Sequence, residues 1–532
     1  MNRFNNKTDG DKCPSITSEE TFGKWEKAEN FYRDRDNRTA LQIENLAFYA
    51  ARPVEIWLDP LSIDSAAIQE IGLLICNLTA RWARRVVVRL SAGASLAKNL
   101  QRDDFESLAG RISSEMRAAD PFGDFSVLDY AATNQAAAPN ALRLFVGSWA
   151  DVAVITPSVT KDDYFIDASG WSVFGKRGAG FGSRVQAETA VPATALAASL
   201  AAAELFKRAV GHDRAEWMPD NFVWNVWEQK FSDTDFAVSA ARTQSNNKYP
   251  VSRGLDVGRT LLAGVGAIGS ALIYLMDFMS LSGEELIFLD RDKVETSNLN
   301  RSPLFNVRHA LENWEKTQIA LNYLSRHQIK LSERRGTWQE HAAQIAREPF
   351  DQWISLTNED GAWASVPYLL PPVVLHGTTT SGWGFGAGRH LPRREDCTLC
   401  RMPRPEIKFR ALCAQGEIPN GEANAPMVAV ATASLPFLSA ASAALLLAEM
   451  IKLNISLNYV HLAQSISEAG NEVAVDLRFG LFAVTPLKRV HNESCRGCRA
   501  SASEKWLEFG GRSRYRFLSE TSEKKRSELK AA

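Results

Sequence analysis

Cysteine is scarce in this sequence, with 7 in 532 residues, which excludes the disulfide framework of a small secreted domain. An excess of charge is missing too. Lys and Arg number 61 against 62 Asp and Glu, so no field-driven partner such as nucleic acid or an anionic membrane is expected. The opening MNRFNNKTDGDKC lacks an apolar segment and does not read as a secretory signal, and a cytoplasmic protein is expected. Only the stretch from Met427 to Met450 is long enough by count to cross a bilayer. It contains Pro436 and Glu449, which predicts a strand or loop up to the proline and a buried helix from Phe437 onward.

With 45% apolar and 23% charged residues, the composition is that of a globular protein, and the length suits roughly two to four domains. The order of elements repeats. VEIWL near residue 54, the helical SAAIQEIGLLICNLTARWA and RRVVVRL read as a βαβ unit with parallel strands. Further strands are expected at FSVLD, ALRLFVG, DVAVIT and DYFIDASGW, and an alanine-rich helix from Pro192 closes this unit. A second unit starts near Thr260 with strand, glycine turn, helix and the strand EELIFLD. DQWISLT and PPVVLHGTTTSGW follow as strands, and a second alanine-rich helix opens at Pro436. Two α/β units of the same plan in one chain are the expectation, with no residue-by-residue repeat.

In the second unit Gly264-Val265-Gly266-Ala267-Ile268-Gly269 lies between a strand and a helix. Gly264, Gly266 and Gly269 permit a tight turn and close backbone approach, and the helix N-terminus offers amides to a phosphate. Asp290, ending the next strand, is placed to hydrogen-bond a ribose hydroxyl. This pattern indicates a nucleotide and leaves NAD or ATP open. The matching turn of the first unit, Leu58 to Ser65, has a proline, two aspartates and no glycine, so that copy is expected to be degenerate.

The residues after the second strand, Leu289-Asp290-Arg291-Asp292-Lys293-Val294-Glu295-Thr296-Ser297-Asn298-Leu299-Asn300-Arg301, follow the pattern D-x-D-x-V-x-x-S-N-L-x-R. This run resembles the ubiquitin-activating-enzyme superfamily of ThiF/MoeB-type adenylating enzymes. The layout resembles most the single-chain activating enzymes of bacterial ubiquitin-like conjugation systems with an antiphage role. The resemblance implies two Rossmann-like adenylation folds forming a pseudo-dimer in one chain, the first degenerate and the second active. It implies adenylation of a ubiquitin-like protein's C-terminal glycine tail by ATP. Arg301 and Lys316 would be phosphate-binding cations, Asn298 a supporting polar ligand and Asp290 the ribose acid. Asp360 would hold Mg2+, with Glu359 and Asn358 as alternatives. Within Asp34-Arg35-Asp36-Asn37-Arg38, Arg35 would reach across to the ATP phosphates. One departure is Ser302, where the family usually has glutamine.

Cys397-Thr398-Leu399-Cys400 and Cys495-Arg496-Gly497-Cys498 are two matched C-x-x-C knuckles, a set of four thiolates suited to tetrahedral Zn2+. Cys76 falls on an apolar helix face and is expected in the core, and Cys13 in the polar leader. Cys413 occupies a Gly-, Pro- and Asn-rich loop with Lys408 and Arg410 nearby, cations that favour the thiolate. Thiamine-pathway relatives carry a reactive cysteine at a similar place, which implies a thioester on Cys413 and handover to a conjugating enzyme. The expected division is a leader with the arginine-bearing helix (1–40), an inactive adenylation domain (41–215), a connector (216–255), an active adenylation domain with crossover loop and zinc knuckles (256–500) and a polar tail (501–532). Neither nucleic acid nor membrane is expected as a partner, and homodimerisation is left open. Adenylation for sulfur transfer without conjugation, an NAD-dependent oxidoreductase and a catalytically weak binding scaffold are the competing readings.

Overall fold

Short apolar runs, many rich in β-branched or aromatic residues, form the central strands of each sheet, buried on both faces as a parallel sheet covered by helices requires. The first sheet contains β1 (Val54–Leu58), β2 (Arg85–Leu90), β3 (Asp124–Asp129), β4 (Leu142–Val146), β5 (Tyr164–Ser169), β6 (Ser172–Arg177), β7 (Asn221–Asn225) and β8 (Lys230–Ser232). β9 (Gly254–Asp256) and β11 (Ser280–Ser282) make a separate pair. The other large sheet contains β10 (Arg259–Ala263), β12 (Glu285–Asp290), β13 (Lys330–Arg335), β14 (Gln352–Ser355), β15 (Val373–Thr379), β16 (Gly384–His390), β17 (Glu472–Asp476) and β18 (Thr485–Leu487). The computed structural model describes residues 28–519 apart from 38, 40–51, 92, 103, 131–139, 150–158, 183–187, 213–215, 235–236, 239–240, 242–248, 358–361, 381–382, 402–434, 460–461, 463–465, 467–468 and 479–484.

The two sheets have one topology. The first runs β3-β2-β1-β4-β5-β6-β7-β8 and the second β13-β12-β10-β14-β15-β16-β17-β18. In each, the first five strands in that order are parallel and the last three are added antiparallel. The strand order reverses beside β1 and beside β10, the kind of switch point where α/β sheets open a crevice at the strands' carboxyl ends.

Four helices lie against one another. Val191–Ala209 packs on Pro436–Ser456, while Ala66–Ala80 packs on the former and Ala267–Met276 on the latter. Both long helices are rich in fully buried alanines, among them Ala197, Ala201, Ala440 and Ala444, whose small side chains allow close approach. One apolar core includes all four helices and strands of both sheets. The helix Pro436–Ser456 is long and apolar enough to cross a membrane, but it starts at the expected proline and its apolar stretch is entirely buried within the protein.

Two expectations change and a third is not tested. The segment 216–255 is not a plain connector, because its NFVWN and KFS runs are β7 and β8 of the first sheet. The tail is not wholly solvated: Trp506, Tyr515 and Leu518 are buried, and the Trp506 indole donates to the Pro371 carbonyl at 2.7 Å. The strand expected at DVAVIT lies outside the described residues.

Charged side chains also join the two halves. Asp277 is fully buried between Arg102 (2.5 Å) and Arg326 (2.7 Å), with His327 Nε2 at 3.4 Å. Burial alone would raise its pKa, but the facing Arg102 charge, the His327 hydrogen bond and Arg326 outweigh it and hold the carboxyl well below the usual range. A depressed carboxylate pKa stabilises the fold above the unfolded value of about 4, and that contribution is lost as pH falls. Asp277→Asn is therefore expected to cost about 1.5–3 kcal/mol at pH 7 by removing the buried charge that the partly exposed Arg102 and Arg326 face. The gap to wild type, measured by denaturant unfolding, should narrow as pH drops below about 4.

Candidate functional site

The turn after β10 is dictated by crowding. Gly264 has φ +100°, and a Cβ there would stand 2.7 Å from the Leu356 carbonyl carbon and 2.9 Å from the Thr357 nitrogen. At Gly269 a Cβ would meet the Gly264 oxygen at 2.1 Å, so this glycine lets the helix Ala267–Met276 sit close on the turn. Gly266, the N-cap of that helix, is different: among the described residues a Cβ built there meets nothing within 4 Å. The helix N-terminus thus opens onto free space, the arrangement that receives an anionic group.

Asp290 is the last residue of β12, one position beyond Leu289, which pairs with Ala263 just before the turn. Its carboxylate accepts from the Val265 amide at 2.6 Å and from the Asp292 amide at 2.9 Å, tying the glycine turn to the next loop. Burial pushes its pKa up, while the Lys316 charge and the two amides pull it back. Lys316 opens the helix Lys316–Leu324 and is itself buried. Its Nζ bonds Asp292 Oδ2 at 2.9 Å and its backbone amide donates to the Asp292 carbonyl at 3.1 Å. Asp292 is a hinge of the site that was not singled out in the sequence, although the second aspartate of D-x-D marks it. At the end of β14, Ser355 Oγ and Thr357 Oγ1 are buried with no hydrogen-bond partner among the described residues.

Asn298 and Arg301 shape the loop that follows. Asn298 Oδ1 accepts from the Glu295 amide at 3.1 Å, half of a capping box, and its carbonyl accepts from the Arg301 and Ser302 amides. Arg301 Nη1 bonds the Ser297 carbonyl and Asn300 Oδ1 (3.0 Å). Gly264, Gly266, Gly269, Asp290 and Lys316 are therefore gathered at the carboxyl ends of β10 and β12, with Asn298 and Arg301 on the adjoining loop. Asp360, Glu359, Asn358 and Cys413 lie outside the described residues. Arg35 departs from expectation: its guanidinium is fully buried and salt-bridged to Asp36 (2.7 Å) and Asp120 (2.8 Å) of its own half. These two carboxylates neutralise it where a free phosphate-binding arginine was expected.

The corresponding turn of the first sheet is filled by its own side chain. Asp59 accepts from the Leu61 amide (3.0 Å) and Ser62 Oγ (2.8 Å), with the Trp149 amide at 3.4 Å. Gly147, directly after β4, makes the space, since a Cβ there would lie 2.5 Å from Asp59 Cβ.

The four knuckle cysteines meet as the sequence suggested. Their sulfurs all lie within 4.8 Å of one another, with Cys397–Cys495 at 3.7 Å and Cys400–Cys498 at 3.4 Å. Four sulfurs about 2.3 Å from a shared tetrahedral zinc would be about 3.8 Å apart, so the all-sulfur set fits that ion. Cys76 is fully buried in the core, as expected.

Comparison with known proteins bears on the stretch that carries the glycine turn and Asp290. Residues 252–356 match the ThiF family model. That ThiF-type stretch contains β10, β12 and β14 and the helix that begins at Lys316. The chain is also 28% identical over 179 residues to an uncharacterized protein, y4jF, of Sinorhizobium fredii (strain NBRC 101917 / NGR234). This overlap spans 34% of this chain and 34% of that protein, about a third of the relative's length. Among solved structures, E. coli MccB with succinimide and with ATP are similar at TM-scores of 0.33 and 0.34 and 16% identity. They cover 45% and 46% of this chain and 66% and 68% of theirs.

Two outcomes are expected of the ThiF-type turn and the cysteines. Gly266→Ala should leave the melting temperature unchanged yet weaken MgATP binding, whereas Gly269→Ala should lower the melting temperature outright; scanning calorimetry with and without MgATP separates them. Elemental analysis should find one zinc per chain, lost in Cys498→Ser, and the loss should expose the segment around Trp506 to protease.

Proposed function

We propose that the chain is an ATP-dependent adenylating enzyme that activates the C-terminal carboxylate of a ubiquitin-like protein. The observation that carries this reading is the open helix N-terminus at Gly266 with Asp290 and Lys316 at its rim, inside the ThiF-type stretch. In this reading the chain is a pseudo-dimer of two adenylation folds, and the second is the working one. The shared strand order of the two sheets and the Asp59 side chain filling the first turn both support it.

The turn amides would cradle the phosphates and Asp290 would accept from the ribose. Lys316 would turn from Asp292 toward the triphosphate, and Arg301 would join it, so that two anions can meet. The substrate's carboxylate oxygen attacks the α-phosphorus, the bond to the β-phosphate oxygen breaks, and pyrophosphate leaves with the acyl-adenylate formed. Asp360 would hold Mg2+, which offsets charge on the triphosphate when bound. The Cys413 thiolate would then attack the acyl carbon, releasing AMP and forming a thioester for a conjugating enzyme. Zinc held by Cys397, Cys400, Cys495 and Cys498 has four protein ligands and no open position, so its part is structural. A reducing cytoplasm and an antiphage conjugation pathway complete the proposal.

ATP–pyrophosphate exchange by the full chain, with a ubiquitin-fold protein ending in glycine, tests it. Lys316→Ala should lower exchange by about 100-fold, the scale seen when one preorganised group is removed from a developing charge. Cys413→Ala should keep exchange and lose a thiol-sensitive adduct. Exchange without any adduct in the wild type would instead establish adenylation for sulfur transfer, and no exchange at all would refute the reading.

A further inference from the structure

Arg81 belongs to the first half, at the C-cap of the helix Ala66–Ala80, and is 1% exposed. Its guanidinium crosses to the second half and donates to three backbone carbonyls of one loop: Leu299 (2.5 Å), Pro303 (2.8 Å) and Phe305 (3.0 Å). Asn77, one helical turn earlier, accepts from Arg81 Nε at 2.9 Å and adds its own bond to the Pro303 carbonyl at 3.2 Å. Thr39, also of the first half, accepts from Asn300 at 3.0 Å. These contacts bracket Arg301, whose own side chain is braced against Ser297 and Asn300 within the same loop. Among the described residues the direct acceptors of its two terminal nitrogens are these carbonyl dipoles; burial works against its charge, and the Glu115 carboxylate supports it without a direct ion pair. A planar fork with five donors can serve three carbonyls at once, whereas the single ammonium of a lysine cannot hold that geometry.

We infer that Arg81 is a positioning residue for Arg301: the half without a glycine turn sets the geometry of the nucleotide site in the other half. This rests on the phosphate role proposed above for Arg301. It gives the first half a task other than supplying a phosphate ligand, and it places that task in a side chain whose two terminal nitrogens both bond the partner loop while Asn77 holds its Nε.

The test compares the full-length chain with Arg81→Lys, Arg301→Ala and the double variant, with Arg85→Met, at an exposed surface pair, as control. Hydrogen exchange of residues 296–305 and MgATP affinity are read together. Arg81→Lys should speed exchange in 296–305 at least tenfold while β10 and the helix Pro436–Ser456 keep wild-type rates. It should weaken MgATP binding by about tenfold, and the double variant should bind no more weakly than Arg301→Ala alone, since the two act through one interaction. Unchanged exchange in 296–305, or affinity losses that add, would overturn the assignment. A purely structural Arg81 would lower stability or loop protection and leave MgATP affinity untouched, which also overturns it. A wild-type chain that does not bind MgATP would refute the adenylating function itself, a result distinct from either of these.

Discussion

At the carboxyl end of the central strand of each sheet there is room for one side chain where two residues converge. The strand beside β1 supplies the concession in the first half: Gly147 lets Asp59 keep its Cβ. In the second half the concession is on the central strand itself, because Gly264 gives way to the backbone of Leu356 and Thr357. The same steric conflict is thus resolved in opposite ways. Where the central turn keeps a carboxylate, its amide and hydroxyl donors are consumed internally; where it keeps glycine, the helix start at Gly266 stays open. An anion site needs bare donors and space, and only the second resolution leaves both.

The two halves do not stand as independent bodies that happen to share a chain. Their long alanine-rich helices form the middle of one apolar core, and the buried Arg81 and partly buried Arg102 of the first half cross the boundary to the second. Such contacts are costly to break singly, since a stranded buried cation or carbonyl loses its partner without regaining water. Retention of a half whose turn is blocked follows naturally if it supports the loop next to the open one.

Much of this was legible in the sequence because it is local. The β-branched runs, the glycine turn, the proline opening each long helix and the paired cysteine knuckles all carry their signal within a few residues. The rest depends on distance partners. Arg35 sits in a run of charges whose resemblance implied a phosphate contact, yet Asp120, far along the chain, takes it into the interior. Arg81, in RWARR, looks like an exposed cation until the loop from Leu299 to Phe305 is seen around it. β7 and β8 were missed because NFVWN and KFS are short antiparallel additions in a stretch dominated by Trp, Asp and Asn. Asp292 lay inside the recognised motif, but its link to Lys316 becomes visible only when the helix start is placed beside it.

The central claim, that the glycine turn of the second half alone receives a nucleotide, is met most directly by an experimental structure of the chain with a non-hydrolysable ATP analogue. The account predicts phosphates against the Gly266 amide with the Lys316 ammonium drawn from Asp292 toward them, and no nucleotide at Asp59. Phosphates seated in the first half, or a second-half turn left empty at saturating analogue, would contradict it.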